Sequence, residues 1–363
     1  MKRLKVKFES RLPLFSAATK VGLLRGRLVW AKVLLAAGLV LVSGTAFAGS
    51  TLTGAGATFP YPIYSKWFYE YGKETGVQIN YQAIGSGGGI QQIIAKTVDF
   101  GASDAPLDAK ELAEHGLIQM PTVAGAVAMA YNVPGVGKGL KFTPHLIADL
   151  YLGRITNWDD PEIKAVNPDV TLPSLPIVVV HRSDGSGTTN IFTSYLSDVD
   201  KEWSGKVGHS TSVNWPVGIG GKGNPGVAGL IINTKGALGY VELAYVLQNN
   251  MTYGPVENRA GQYVWPTIES SKAAAATVKR IPPDFKVMFV DAPGKGSYPI
   301  AGFTFLIIYK HQTNAAKAHE LLRYIHWVYS RGETMAPSLD YVPLPANIIV
   351  KIKRQLKEVT IRP

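Results

Sequence analysis

The chain has 363 residues, 46% hydrophobic and 17% charged, with 38 Gly, 23 Pro and no Cys, a composition that fits a folded protein of about two domains and excludes disordered and fibrous classes. Without cysteine, disulfide frameworks, thiolate metal sites, cysteine nucleophiles and a cysteine-linked lipid anchor are all ruled out. The net charge is +11, but residues 1–32 hold nine Lys/Arg against one acid, Glu9; taking that +8 away leaves +3 on the rest, too little to argue for a surface that binds nucleic acid.

The basic segment leads into an apolar run of ten residues, Val33 to Val42, and then into Thr45-Ala46-Phe47-Ala48-Gly49. A cationic stretch, a short apolar core and an A-x-A site are the parts of a secretory signal peptide, with cleavage after Ala48. Ten residues fall short of the ~20 that a bilayer-spanning helix requires. The expectation is a signal peptide over 1–48 and a protein released outside the cytoplasm, in a bacterial periplasm.

Beyond Gly49 the pattern runs repeatedly from a short apolar segment through a Gly/Ser/Thr-rich turn into a 3.6-residue period, as α/β domains do. Thr58, followed by Pro60 and Pro62, predicts a helix with Ile63, Trp67, Phe68 and Tyr71 on one face and Gly76 as its stop. Val77, Ile79 and Tyr81 alternate as a strand, and Gly85-Ser86-Gly87-Gly88-Gly89 opens a second helix. Val98 to Ala102 reads as a strand that delivers Ser103-Asp104 at its end. The run Thr122 to Tyr131 is apolar enough for a strand covered on both faces. Thr143-Pro144 predicts a helix closed by Gly153. Ile177 to Val180 is a strand running into His181-Arg182-Ser183-Asp184-Gly185-Ser186-Gly187-Thr188 and a further helix. Asn224-Pro225 opens another, Ala301 to Tyr309 is strand-like, and Leu321 to Tyr329 lies on a long helix.

Three of these turns, at Thr58-Phe59, Ser86-Gly87 and Ser186-Gly187-Thr188, place a hydroxyl where a helix begins. Helix N-termini offer free N–H donors and about half a positive charge, which suits an anion. Arg182 adds a planar fork for an oxyanion, and Asp104 sits at the end of a strand, where α/β proteins gather ligand groups. A carboxylate beside an anion makes sense only if the anion carries a proton. Monohydrogen phosphate can donate to Asp104 and sulfate cannot, so one residue discriminates between them.

The segments Thr53 to Pro60, Gly85 to Gly89, Val98 to Pro106, Tyr151 to Trp158 and Asp184 to Thr188 resemble the periplasmic phosphate-binding protein family of the high-affinity phosphate ABC transporter, across roughly residues 50–345. The resemblance implies an α/β two-domain solute-binding fold of type II, with a ligand cleft between domains joined by two crossover strands. It implies a discontinuous first domain, 49–125 plus 294–363, and a second, 126–293. It assigns phosphate contacts to Thr58, Phe59 through its backbone N–H, Ser86, Asp104, Arg182, Ser186, Gly187 through its backbone N–H, and Thr188. It also implies that Asp184 lies close enough to Arg182 to orient it. It further implies a monomer without cofactor that passes phosphate to an inner-membrane permease and its ATPase, making and breaking no bond. Residues 259–293 follow the family pattern poorly.

Other patterns weigh little. Gly218-Ile219-Gly220-Gly221-Lys222-Gly223 matches G-x-G-x-x-G but follows Trp215-Pro216 and lacks the acid of a dinucleotide site. Ser186 lacks the spacing of a nucleophile elbow. Seven scattered His give no metal spacing; His319 and His326 alone share a helix. His181 beside Arg182 points away from the site by strand alternation. Receptors for arsenate, sulfate or molybdate, and a secreted phosphohydrolase, are the alternatives.

Overall fold

The computed structural model describes residues 51–361; the predicted signal peptide over 1–48 and its cleavage point lie outside the described residues. In chain order the elements are β1 (Thr51–Gly56), α1 (Tyr61–Thr75), β2 (Gln78–Ala83), α2 (Ser86–Ile94), β3 (Phe100–Ser103), α3 (Ala109–Glu114), β4 (Leu117–Asn132), α4 (Pro144–Leu152), α5 (Pro161–Val166), β5 (Val178–Arg182), α6 (Gly187–Val199), α7 (Lys201–Lys206), β6 (Ile219–Gly221), α8 (Gly223–Asn233), β7 (Ala237–Glu242), α9 (Leu243–Gln248) and β8 (Thr252–Gly254). A short ladder of β9 (Val256–Glu257) with β10 (Tyr263–Val264) and helix α10 (Ile268–Ala276) follow. Then come β11 (Ala301–Tyr309), β12 (His311–Gln312), α11 (Ala315–Val328), β13 (Val342–Pro343), α12 (Ala346–Gln355) and β14 (Thr360–Ile361).

Helix ends fall where local chemistry dictates. Thr143 Oγ1 accepts the Leu146 N–H at 3.1 Å and Gly153 closes α4 at φ +77°; Ser186 Oγ accepts the Thr189 N–H at 3.0 Å to start α6, as the sequence predicts. Helix α1 starts three residues later than the Thr58 pattern predicts. Pro60 occupies the cap position with no side-chain bond, because the Thr58 hydroxyl is engaged elsewhere. Gly76 ends α1 in the left-handed region, as expected.

The main sheet runs β2-β1-β3-β11-β4-β7-β5-β6, with β13 and β8 also paired to β4. The pairs β1/β2, β1/β3, β5/β6 and β5/β7 are parallel, whereas β11 and β7 pair with β4 antiparallel. Strand β4 is the spine. Its residues Leu117–Ala126 pair with β11 and Val127–Asn132 pair with β7, so the partner changes between Ala126 and Val127 and divides the sheet into two lobes. Fifteen of its sixteen residues are buried, which accounts for its unbroken apolar run. The chain returns to the first lobe through residues 265–300. There the Val127 N–H donates to Ile300 O at 2.8 Å, so the two crossing segments are bonded side by side.

Each lobe has an aromatic core. Phe68, Tyr81, Phe100 and Tyr324 pack together in the first, and Tyr151, Phe192, Trp215 and Tyr240 in the second. Such pairs add about 0.5–1.5 kcal/mol each beyond the area they bury. The turn over residues 281–286 is held by the first lobe: Gln119 Nε2 donates to Asp284 O at 2.7 Å and Lys351 Nζ to Ile281 O at 3.1 Å. No described helix is long and apolar enough to cross a membrane.

Candidate functional site

In a parallel α/β sheet the loops that follow the strands emerge on one side, and ligand groups collect there. Thr58 and Phe59 follow β1, Ser86 follows β2, Asp104 follows β3, Arg182 ends β5 and leads to Ser186, Gly187 and Thr188, and Asn224 follows β6. Six strand ends from two lobes thus face each other, since Glu242 closes β7 in the same region.

The second-lobe half is built around the Arg182 guanidinium. Nε donates to Asp184 Oδ1 at 2.7 Å and Nη2 to Asp184 Oδ2 at 2.5 Å, a two-point clamp with the arginine side chain 1% exposed. Nη1 donates to Thr188 Oγ1 at 3.3 Å. Burial pushes the Asp184 carboxyl up, but the Arg182 hydrogen bonds and charge outweigh it and hold the group below the ordinary range. The Arg182 backbone N–H donates to the Tyr240 hydroxyl at 3.0 Å, tying the site to the aromatic core. His181 turns the other way and stacks on Trp215 at 4.8 Å, as strand alternation predicts.

The first-lobe half centres on Asp104 and Ser86. Thr304 Oγ1 on β11 donates to Asp104 Oδ1 at 2.8 Å. Burial pushes the Asp104 carboxyl up to about 7, against the opposing effects of the Thr304 hydrogen bond, the Arg182 charge and the Ser86 hydrogen bond. Such a group sits near its midpoint at neutral pH, able to accept or to donate.

The halves touch directly. Ser86 Oγ accepts the Asp104 N–H at 3.2 Å from its own lobe and the Gly187 N–H at 3.0 Å from the other. The Gly87 N–H donates to Gly185 O at 2.9 Å. Thr58 Oγ1 accepts from both the N–H and Nδ2 of Asn224, each at 3.1 Å, and Tyr245 donates its hydroxyl to Thr58 O at 2.7 Å. Glycine is required at the contact: a Cβ on Gly187 would lie 2.5 Å from the Asp104 Cβ, and one on Gly85, at φ +92°, would lie 2.2 Å from Asp184 Oδ2.

The structure therefore links Thr58, Asn224, Thr188, Arg182 and Asp184 in one hydrogen-bonded chain, and Asp104, Ser86 and Gly187 in another. Phe59 is buried beside Tyr341, which donates its hydroxyl to Phe59 O at 2.6 Å. Ser186 spends its hydroxyl oxygen capping α6. Three members escape the sequence. Asn224 reads as an ordinary helix opening, yet its Nδ2 bridges Thr58 and Thr188 while its Oδ1 accepts the Glu242 N–H at 3.0 Å. It directly follows the glycine-rich 218–223 stretch, which contains β6 and leads into α8. Thr304 reads as a strand residue, and its signal is the one Ser/Thr side chain inside Ala301 to Tyr309. Glu242, fully buried and pushed well above the ordinary range by that burial, accepts the Ala244 N–H at 3.1 Å.

The sequence profile of the PBP superfamily domain matches residues 41–331. A protein named phosphate-binding protein PstS from Haemophilus influenzae is 47% identical over 310 residues, covering 85% of this chain and 93% of its own. One of the same name from Methanocaldococcus jannaschii is 39% identical and covers 81% and 82%. Among solved structures, a high-affinity periplasmic phosphate-binding protein bound with phosphate superposes with a TM-score of 0.69 at 22% identity, covering 84% of this chain and 93% of that one. A phosphate binding protein from Stenotrophomonas maltophilia superposes with a TM-score of 0.66 at 18% identity, covering 84% and 94%. These likenesses show the two-lobed α/β fold.

Proposed function

Since the chain belongs to the PBP superfamily and, within it, to the PstS phosphate-binding proteins, we propose that it binds inorganic phosphate between its lobes as the substrate-binding component of an ABC transporter. The observation that carries the reading is the Arg182 guanidinium, buried, clamped by Asp184 and joined through Thr188 and Asn224 to Thr58 of the opposite lobe. The ligand groups we propose are Thr58, the Phe59 N–H, Ser86, Asp104, Arg182, Ser186, the Gly187 N–H and Thr188, with Asp184 holding Arg182.

The mechanism is hinge closure. An anion entering between the lobes exchanges hydrogen bonds such as Ser86 to Gly187 for charge-assisted ones, which are stronger. Closure is favoured because only then do donors of both lobes reach the same anion. Asp104 supplies the acceptor for the proton of monohydrogen phosphate and repels an anion that has none. The chemistry is binding and release, in keeping with relatives named for binding rather than catalysis. The lobes are taken as 49–125 with 294–363, and 126–293, on the strength of the change of partner along β4, with 281–286 leaning on the first. The partners are an inner-membrane permease and its ATPase, the place is the periplasm, and export is by a signal peptide cleaved after Ala48; the protein acts as a monomer.

Isothermal titration of residues 49–363 with phosphate and then sulfate at pH 8, where the Asp104 carboxyl is mostly ionised, tests the reading. Micromolar or tighter binding of phosphate, with no heat from sulfate, is expected. Absence of phosphate binding overturns it.

A further inference from the structure

Helix α4 and the start of α5 bring together three side chains that the anion site does not use. His145 and Asp149 stand four residues apart on one face of α4, with His145 Nε2 and Asp149 Oδ2 3.4 Å apart. Glu162, in the first turn of α5, brings a carboxylate oxygen close enough that the three donor atoms lie within 4.8 Å of one another. Among the described residues this is the one such His/Asp/Glu group. We propose that His145, Asp149 and Glu162 form a binding site for a divalent transition-metal ion of the zinc type, independent of the phosphate site.

The geometry and the donor set both favour that ion. Ligands about 2.0–2.1 Å from a tetrahedral zinc are about 3.4 Å from one another, the spacing that the His145–Asp149 pair already has. Asp149 is buried and fixed: its other oxygen, Oδ1, accepts from Arg154 Nη1 at 2.6 Å, an outer hydrogen bond of the sort that orients a metal-binding carboxylate. The Arg154 charge is offset by Glu202, with which it also pairs, so Asp149 and Glu162 supply two negative charges to match the two of the ion. His145 and Glu162 are exposed and free to rotate onto it. One imidazole and two carboxylates suit zinc, copper(II) or nickel better than magnesium or calcium, which take six or more oxygens. A fourth position stays open to water. The bound ion bridges α4 to α5 and braces the turn over 153–160. No spacing motif announces the site, because the third ligand lies thirteen residues beyond the second and arrives only when the two helices pack.

The test is titration of the purified protein with zinc chloride in phosphate-free buffer at pH 7.5, beside His145→Ala and Glu162→Gln, each checked for unchanged phosphate affinity in separate runs. One ion is expected to bind with Kd on the order of 10 µM or tighter, weakened at least tenfold in each variant. Cobalt(II) should give the visible absorption of a four-coordinate site, lost in His145→Ala. Zinc affinity equal in the wild type and both variants, or weaker than about 1 mM in the wild type, overturns the proposal.

Discussion

Ser86 Oγ accepts the Gly187 N–H at 3.0 Å although the two residues are 101 positions apart and belong to different lobes. The same oxygen also accepts the Asp104 N–H. A single hydroxyl thus joins the start of α2, the end of β3 and the start of α6, so the proposed hinge closure would assemble the site rather than cover it.

Arg182→Ala removes the cation and leaves Asp184 half-buried without its partner. Phosphate affinity should fall more than thirtyfold, about 2 kcal/mol or more, since a buried charge is left uncompensated. A calorimetric loss of tenfold or less would contradict the role assigned to Arg182.

Asp104→Asn replaces an acceptor with a group that can donate to a fully ionised oxyanion, so discrimination against sulfate should fall. In the wild type, exclusion of sulfate should itself weaken as pH drops from 8 to 5.5, because the Asp104 carboxyl is pushed up to about 7 and becomes a donor below that. The variant should show no such pH trend. Competition titrations at the two pH values decide the matter, and equal selectivity in both proteins would remove Asp104 from the discrimination.

Asn224→Ala removes the amide that bridges Thr58 on one lobe and Thr188 on the other. Each buried hydrogen bond of this kind is worth roughly 1 kcal/mol, so phosphate should dissociate about five to thirty times faster. Association should change little. Stopped-flow release reads the effect, and an unchanged dissociation rate would show the bridge to be idle.

Gly85→Ala places a methyl group where Asp184 Oδ2 stands when the lobes are closed, on a residue at φ +92°. Phosphate affinity should drop at least tenfold. Small-angle scattering at saturating phosphate should keep the larger radius of the open form. Full closure in the variant would refute the contact.

Asp104 and Glu333 are both pushed up by burial, to about 7 and about 8. Between pH 4 and these values the folded protein holds protons that the unfolded chain releases, so unfolding gains from rising pH. Thermal stability without phosphate should decline from pH 5 to 8.5, and Asp104→Asn and Glu333→Gln should each flatten part of the decline. Calorimetric melting at several pH values provides the check; a Tm rising over that range would contradict it.

Much of the fold was legible in the residues. Thr143 and Ser186 begin helices, Gly76 and Gly153 end them, and the apolar run of β4 belongs to a strand covered on both faces. These outcomes depend on neighbours within a few positions, where hydrogen bonds to the local backbone and side-chain periodicity act. The gathering of Asp104, Arg182 and the hydroxyl turns was legible for a similar reason: strand ends followed by helix starts place donors on one side of a sheet. Thr58 marks the limit. Its sequence context is that of a helix cap, yet its hydroxyl oxygen accepts from Asn224, 166 positions away. Thr304 on Asp104, and His145 with Asp149 and Glu162, are likewise products of packing. The sequence by itself determined where the chain turns and which groups each turn offers. Only the tertiary structure decided which offered groups meet, because a side chain's final hydrogen-bond partner depends on how the lobes and helices pack, and no local energy term selects that.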